Sequence, residues 1–571
     1  MIYEELAEKI VSDEQFKEDY NQLLTIAQYN PDNKNLGSEQ IKKLLQTASI
    51  LSLTNKDNHQ KIAYKIAVFI LETQKENLDE IYKIIQVIFL RLGNFPAIQR
   101  LIKEENYPDY FSLFEEDGIT SFNPLIWKEV IHKRTENNFE LNDKKFYFTN
   151  FQAKVFHLLC QKKDVSFSAP TSAGKSFLLS NYSAKSISEN EKYTIVYVVP
   201  SKSLIAQVQK DFQETFHKFG IKDIILLSSS PDILELDLNQ NKKKVFVLTQ
   251  ERLEMIQANL KDKLLVDLLI IDEAHKIGDG ERGIKLELAI QDLIDENKEM
   301  QKVFISPYTE NPEKFKSIFT DLEELKIEST SSSPVSQNIF LVDFKDKTVE
   351  ISLTSNELTK NLSLYSVELN RKIPDNYKKK IWVLESMTKD ESSLIYCDAP
   401  IDCRRAAESI SKKRENKTTT DNLKEAIEFI KSQVHPDYYL LDYLKTGVGF
   451  HYSKMPMFVK LYVEDLFKSK DINNICCTST ILEGVNFPAK NIIVFKPKSG
   501  RSKKMEDLTF LNLIGRAGRL TKDFYGNIYC IDIEYWPSCK DAIKGKSQKI
   551  SSAIDATIEN KKEEILKFLK S

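Results

Sequence analysis

Apolar positions follow a helical period through the first quarter of the chain and then change to short, unbroken runs. Ile81, Ile84, Ile85, Ile88, Phe89 and Leu92 fall at i, i+3, i+4, i+7, i+8 and i+11, the spacing of one face of a helix. Breakers at Asn30-Pro31-Asp32, Asn94-Phe95-Pro96 and Asn123-Pro124 divide a set of helices predicted over residues 1–140. From about residue 145, β-branched runs at 165–168, 194–199, 245–248, 268–271 and 303–305 each end in a loop and lead into a helical pattern. That alternation predicts a doubly wound parallel α/β sheet. A Ser-rich stretch, Ser329-Thr330-Ser331-Ser332-Ser333-Pro334, interrupts it as a linker, and a second series follows at 393–396, 447–450, 475–478, 492–495 and 527–531. Ile554, Ile558, Ile565 and Leu569 share one face of a closing amphipathic helix. The expected fold class is thus α/β, with two tandem parallel-sheet domains behind an all-helical N-terminal domain. Its expected division is 1–140, 141–335, 336–545 and 546–571.

A length of 571 residues corresponds to about three or four domains, each able to bury its own core. Hydrophobic residues at 41%, with 16 Gly and 17 Pro, exclude collagenous and low-complexity chains. The formal net charge of −3 gives no whole-chain attraction to polyanions, so any nucleic-acid contact must come from local patches. The seven cysteines form no Cys-x-x-Cys pair and no zinc-like spacing with histidine, which fits a reducing cytoplasm. The N-terminus is acidic from Glu4 onward, and no apolar run is long enough to span a bilayer. The expected location is therefore cytoplasmic, with no membrane partner.

Two loops carry candidate chemistry. Ala169-Pro170-Thr171-Ser172-Ala173-Gly174-Lys175-Ser176 follows one strand-like run and precedes a helical pattern. A strand-to-helix loop of this kind turns backbone N–H groups and a helix N-terminus toward a β-phosphate. Lys175 adds a charge at the β/γ oxygens, and Ser176 offers its hydroxyl to Mg²⁺. The expected ligand is a magnesium nucleoside triphosphate, although the loop has Ala169 where the P-loop pattern wants Gly. Further on, Leu268-Leu269-Ile270-Ile271 delivers Asp272-Glu273-Ala274-His275 to the carboxyl edge of the sheet. Asp272 is suited to the Mg²⁺ shell, and Glu273 to orienting and deprotonating the attacking water.

Taken in order from about Phe148 to Arg519, these loops and several others make the sequence resemble the superfamily 2 DExH/DEAH-box helicases, with motifs most like the Ski-type (superkiller-like) branch. The resemblance implies two RecA-like domains, ATP and Mg²⁺ as cofactors, and an ATP-dependent helicase or translocase moving on single-stranded DNA or RNA. Phe151-Gln152 resembles the adenine-reading element, with Gln152 the implied base contact. Val199-Pro200-Ser201-Lys202 looks like the start of motif Ia, and Leu248-Thr249-Gln250-Glu251-Arg252 like motif Ib. Strand contacts are thereby implied at Pro200, Ser201, Lys202, Thr249 and Gln250. Val448-Gly449-Phe450-His451 resembles an element typical of the Ski-type branch, which implies His451 as a nucleic-acid residue. Thr478-Ser479-Thr480-Ile481-Leu482-Glu483-Gly484-Val485-Asn486-Phe487-Pro488 is similar to motif V. From it Thr478 is implied as a strand contact and Gly484 as a nucleotide contact.

Gly515-Arg516-Ala517-Gly518-Arg519 matches the core of motif VI. An arginine arriving from a second lobe can stabilise charge on the γ-phosphoryl oxygens by ~10³–10⁵ in rate, which makes Arg516 and Arg519 catalytic candidates. Some positions depart from the family. Ser306-Pro307-Tyr308-Thr309 stands where Ser-Ala-Thr is usual, and Asn512 stands where motif VI usually begins with Gln. The stretch beyond Arg519 is short for the winged-helix and ratchet domains that relatives carry, which weakens the expectation of processive unwinding.

Of the basic clusters, 242–244, 378–380 and 412–414 read as solvated faces, whereas 496–504, with Lys503 and Lys504, is divided between phosphate contact and a solvated face. The rival to the motor reading is a nucleotide-switched sensor that regulates a partner such as a nuclease. An antiviral setting, with a nuclease or other effector as protein partner, is implied by family analogy.

Overall fold

The computed structural model describes residues 2–28, 35–74, 78–103, 107–111, 123–229, 232, 242–259, 264–331, 333–354, 362–373, 376–388, 390–415, 420–479, 489–500, 503–518, 523–544 and 549–560. Asn30-Pro31-Asp32, Ser332, Ile565 and Leu569 lie outside them. Two compact units form. One gathers the described residues within 1–135, 334–482 and 486–546, and the other those within 136–333 and 547–571.

The N-terminal region is helical: α1 (Ile2–Ser12), α2 (Glu14–Gln28), α3 (Ser38–Leu51), α4 (Asp57–Thr73), α5 (Leu78–Arg91), α6 (Phe95–Lys103) and α7 (Pro124–Asn137). Helix α4 is apolar on nearly every side, burying Ile62, Ala63, Ile66, Ala67, Phe69 and Ile70, so it sits at the centre of the bundle. Most of the predicted α5 stripe faces this core. Ile84 is the exception at 40% exposure, because it lies at the margin of the stripe that Ile81, Ile85 and Ile88 define. Pro124 opens α7 in the first turn, where its missing N–H costs nothing.

The second unit begins with a hairpin, β1 (Asn138–Leu141) and β2 (Lys144–Tyr147). Seven parallel strands follow: β3 (Val165–Ser168), β4 (Thr194–Val199), β5 (Ile224–Leu227), β6 (Lys243–Thr249), β7 (Leu268–Ile271), β8 (Gln301–Ser306) and β9 (Lys326–Ser329). Their order is β5-β6-β4-β7-β8-β3-β9. Successive side chains alternate between two cores, one holding Ile195, Tyr197 and Val199 and the other Val196 and Val198. A strand buried on both faces must be apolar throughout, which is why these runs do not alternate in sequence. The edge strands β5 and β9 are half-exposed, and the sequence pattern missed both. Ile550 joins the second core, and the helix Ala553–Asn560 lies against the helix Gly280–Glu296.

The remaining strands are β10 (Ser336–Phe344), β11 (Thr348–Thr354), β12 (Leu362–Glu368), β13 (Ser393–Tyr396), β14 (Val448–His451), β15 (Asn474–Cys477) and β16 (Asn491–Val494). A small hairpin of β17 (Lys498–Ser499) and β18 (Lys503–Lys504) precedes β19 (Tyr525–Ile531). The large sheet runs β12-β11-β10-β19-β16-β13-β15-β14. It is parallel from β10 to β14, whereas β11 and β12 add an antiparallel edge that the sequence pattern does not foretell. The fold is two RecA-like parallel-sheet lobes with a helical N-terminal region. Those helices pack with the second lobe, although the chain passes from them directly into the first.

Two of the basic clusters are not solvated faces throughout. Lys244 is 1% exposed, and Lys380 is 7% exposed with Nζ donating to the Tyr396 carbonyl at 3.0 Å. An aliphatic stem in an apolar wall with its ammonium on a carbonyl accounts for Lys380. Lys412, Lys413 and Arg414 are paired with Glu408, Glu385 and Asp390 at the surface. Among the described residues no helix is long and apolar enough to cross a membrane.

Candidate nucleotide and nucleic-acid sites

After β3 the chain makes a 3-10 turn at Thr171–Ala173, turns left-handed at Gly174 (φ 72°) and enters the helix Lys175–Glu189. That left-handed step needs glycine, and it sets the helix N-terminus at the carboxyl edge of the sheet. Ala169, Pro170, Thr171, Ser172, Ala173, Gly174, Lys175 and Ser176 therefore form one continuous loop and helix start. Lys175 is 8% exposed; its Nζ donates to the carbonyls of Ala169 at 2.8 Å and Pro170 at 3.1 Å. Burial holds its pKa below the usual lysine value, with Glu273 and Asp272 opposing.

Gln152 sits behind this loop in a capping box with Thr149. Its Oε1 accepts from Thr149 N at 3.0 Å, and its Nε2 donates to Ala173 O at 3.0 Å and Gly174 O at 3.2 Å. Gln152 thus braces the loop from behind with Oε1 still able to accept a second hydrogen bond, and the base contact expected of it is carried forward as a proposal.

The acidic pair follows β7, two strands from β3 in the sheet. Asp272 Oδ1 accepts from the Glu273 N–H at 2.9 Å, and Tyr197 donates to Oδ2 at 3.4 Å. Asp272 is pushed up to about 7, first by loss of water around it and then by Glu273, with Lys175 opposing. Glu273 stands at φ 53°, a left-handed conformation uncommon for a side-chain-bearing residue and characteristic of functional turns. His275 is held near 3 by burial, so its ring is neutral, with Nδ1 3.5 Å from Glu273 Oε2. Two crowded carboxylates, with one ammonium opposing and the Ser176 hydroxyl on the P-loop helix, are a donor set that suits Mg²⁺.

Ser306 closes β8 beside the P-loop, its carbonyl accepting from Ala169 N at 3.2 Å. Thr309 N donates to Ser168 Oγ at 2.8 Å, and Tyr308 takes φ 44°. Asn311 is held twice by the C-terminal segment: Nδ2 donates to Ile550 O at 3.0 Å, and Oδ1 accepts from Ile550 N at 2.6 Å. Ser552 Oγ donates to buried Glu287 at 2.9 Å on the helix that follows the acidic pair.

On the same carboxyl edge, the ends of β4 and β6 frame a cleft of about 650 Å³. It is lined by Pro200, Ser201, Lys202, Thr249, Arg252 and Arg282 among others. Gln250, expected beside Thr249, is 5% exposed and does not line it. Arg282 was missed by sequence reasoning, because a lone arginine outside a basic run carries no periodic or motif signal; Arg252 falls in the motif Ib-like stretch but was not singled out there. Arg282 Nη2 donates to Pro200 O at 3.1 Å and to Glu251 at 2.8 Å, which ties the segment after the acidic pair to the cleft wall.

In the other unit, Thr478 follows β15, its N–H donating to the His451 carbonyl at 3.2 Å. His451 itself is 2% exposed, with Nε2 3.1 Å from buried Glu464. The ring is turned into the lobe and meets Glu464 there, so the strand contact expected of it is not among the exposed groups of this lobe. Lys503 and Lys504 stand exposed on the β17–β18 hairpin, Lys503 being 3.4 Å from Glu506. Arg516 is half-buried in the turn after the helix Asp507–Ile514. Arg519, Gly484 and the rest of motif V from Thr480 onward lie outside the described residues. Among those residues no cluster of three or more His, Cys, Asp or Glu is arranged to hold a metal on its own.

A glycine-turned loop and an acidic strand end on one parallel edge mark a RecA-like nucleotide-binding lobe. Residues 149–313 match the DEAD/DEAH box helicase family. It is similar to anti-bacteriophage protein B of Escherichia coli strain K12, at 26% identity over 68% of this chain and 48% of that protein. It is also similar to the ATP-dependent DNA helicase Hel308 of Methanococcus vannielii, at 27% identity over 66% of this chain and 50% of that protein. Hachiman protein HamB of Bacillus cereus is 26% identical over 64% of this chain and 35% of its own length. The chain thus spans about half, or less, of these relatives.

Proposed function

We propose that the chain is an ATP-dependent motor on single-stranded nucleic acid. The observation that carries this is the shared carboxyl edge of β3, β4, β6 and β7, which holds the Lys175 loop, the Asp272-Glu273 pair and the arginine-bearing cleft side by side. ATP is the substrate. Lys175 and the loop N–H groups hold its phosphates, Asp272 and Ser176 hold Mg²⁺, and Glu273 takes the proton of the attacking water. Mg²⁺, when bound, screens the phosphate charge and the crowding between the two carboxylates. Arg516 and Arg519 are proposed to complete the γ-phosphate environment, and Gly484 a nucleotide contact. Working parts at 1–140, 141–335, 336–545 and 546–571 complete the proposal.

Pro200, Ser201, Lys202, Thr249, Thr478, Lys503 and Lys504 are proposed to hold strand phosphates, joined by Arg252 and Arg282. The contacts proposed are to phosphates and none to base edges, so binding is expected to be largely independent of sequence. An antiviral role in the cytoplasm, with a nuclease or other effector as partner, is supported by the similarity to anti-bacteriophage protein B and Hachiman HamB. A nucleotide-switched regulator without strand separation is the second reading, favoured by Tyr308, which replaces the second hydroxyl residue of the usual Ser-Ala-Thr. Strand displacement on tailed DNA and RNA duplexes, with ATPase measured alongside, decides between them. Displacement supports the motor, and stimulated hydrolysis without displacement supports the regulator.

A further inference from the structure

The N-terminal helices meet the second lobe at a restricted place, the chain on either side of Gly515-Arg516-Ala517-Gly518. Phe524 immediately precedes β19, and Tyr525 begins it. Tyr64 of α4 donates its hydroxyl to the Phe524 carbonyl at 2.9 Å, and Arg100 of α6 lies with its guanidinium 3.8 Å above the Phe524 ring. The Tyr525 hydroxyl donates to Glu72 of α4 at 2.8 Å, while Phe69 packs on its ring at 5.5 Å between centroids. Lys490, which is 7% exposed, places Nζ 3.5 Å from the centre of the same ring. Asn94, between α5 and α6, donates to the Pro334 carbonyl at 2.8 Å.

Each anchored residue adjoins one that touches the arginine loop. Lys490 follows Ala489, whose carbonyl accepts from Gly518 N at 2.7 Å and whose N–H donates to Arg516 O at 3.0 Å. Tyr525 precedes Gly526, where an added methyl would lie 2.2 Å from the Ala517 carbonyl carbon. Pro334 precedes Val335, which stands 2.4 Å from where a methyl on Gly518 would be. The loop backbone is therefore laid directly on 489–490, 525–526 and 335, with no slack. Anything that shifts those segments shifts Arg516.

We propose that Glu72 and Tyr525 are positioning residues for ATP hydrolysis, through which the N-terminal helical region sets the placement of Arg516. This inference rests on the reading of Arg516 as a γ-phosphate contact. The helical region is then a built-in control on the second lobe, and a ligand or partner that moved α4 would change turnover without touching the nucleotide.

The test is steady-state ATPase of the full chain carrying Tyr525→Phe or Glu72→Ala, with Glu72→Gln as the conservative variant and Glu273→Gln in parallel. Tyr525→Phe removes only the hydroxyl, whereas Glu72→Gln keeps an acceptor for it. We expect kcat to fall roughly five-fold in Tyr525→Phe and Glu72→Ala, with KM for ATP and the unfolding midpoint little changed, and most activity restored in Glu72→Gln. Wild-type kcat in both, alongside loss of turnover in Glu273→Gln, would overturn the positioning role and leave the hydrolytic site standing. A kcat loss that Glu72→Gln does not restore and that follows a lowered unfolding midpoint would reduce the contact to packing. Wild-type turnover in Glu273→Gln would overturn both readings.

Discussion

Glu273 and Asp272 are neighbours with different tasks, and their surroundings separate them. Asp272 is walled by Tyr197 and Lys175, whereas Glu273 stands on a left-handed turn beside the His275 ring. Glu273→Gln removes the base and little else, so ATP should still bind while turnover falls by about 10²-fold or more. Nucleotide binding and phosphate release, measured on the same preparation, check this. Gly283 makes a prediction of a different kind. An added methyl would lie 2.3 Å from the Ile277 carbonyl oxygen, which belongs to backbone and cannot turn aside. Gly283→Ala should lower stability by about 2–4 kcal/mol in denaturant unfolding of the chain. At this scale the sequence exposed residues whose chemistry is local, such as Lys175 in its loop. It did not expose the inward turn of His451, because Glu464 lies on a separate helix and only packing brings the two together.

At the scale of elements, buried parallel strands were legible because full burial leaves an unbroken apolar run. The observed β3, β4, β7 and β13 coincide with the runs at 165–168, 194–199, 268–271 and 393–396. The runs at 447–450 and 475–478 sit one residue away from β14 and β15. The antiparallel edge of β10 to β12 was not legible: alternating exposure there mixes polar and apolar residues, and the preceding Ser-rich stretch resembles a simple linker. The segment 549–553 carries no periodic signal either, yet it closes on the first lobe through Asn311 and Glu287. Removing the hydroxyl that satisfies a buried carboxylate leaves that carboxylate short of a hydrogen bond. Ser552→Ala should thus cost about 1–3 kcal/mol, read as a lower unfolding midpoint.

At the scale of the whole molecule, a net charge of −3 on 571 residues means that strand binding depends on few, local cations. Replacing Lys503 and Lys504 together by alanine should weaken single-strand binding similarly for all sequences. It should also flatten the salt dependence by roughly 0.7 in log–log slope for each strand phosphate that the variant no longer neutralises. Affinity titrations at several salt concentrations check this, and an unaltered slope would return the hairpin to a solvated face.

What the sequence determined by itself was the set of buried central strands, the loops at their ends and the order of those loops along the chain. Each of these depends on residues within a few positions of one another. Only the tertiary structure decided that the N-terminal helices pack with the second lobe, that residues 549–560 return to the first, and that Arg252 and Arg282 line one cleft. These placements depend on which apolar and polar faces fit across hundreds of residues. Such complementarity leaves no period and no motif for a linear reading to find.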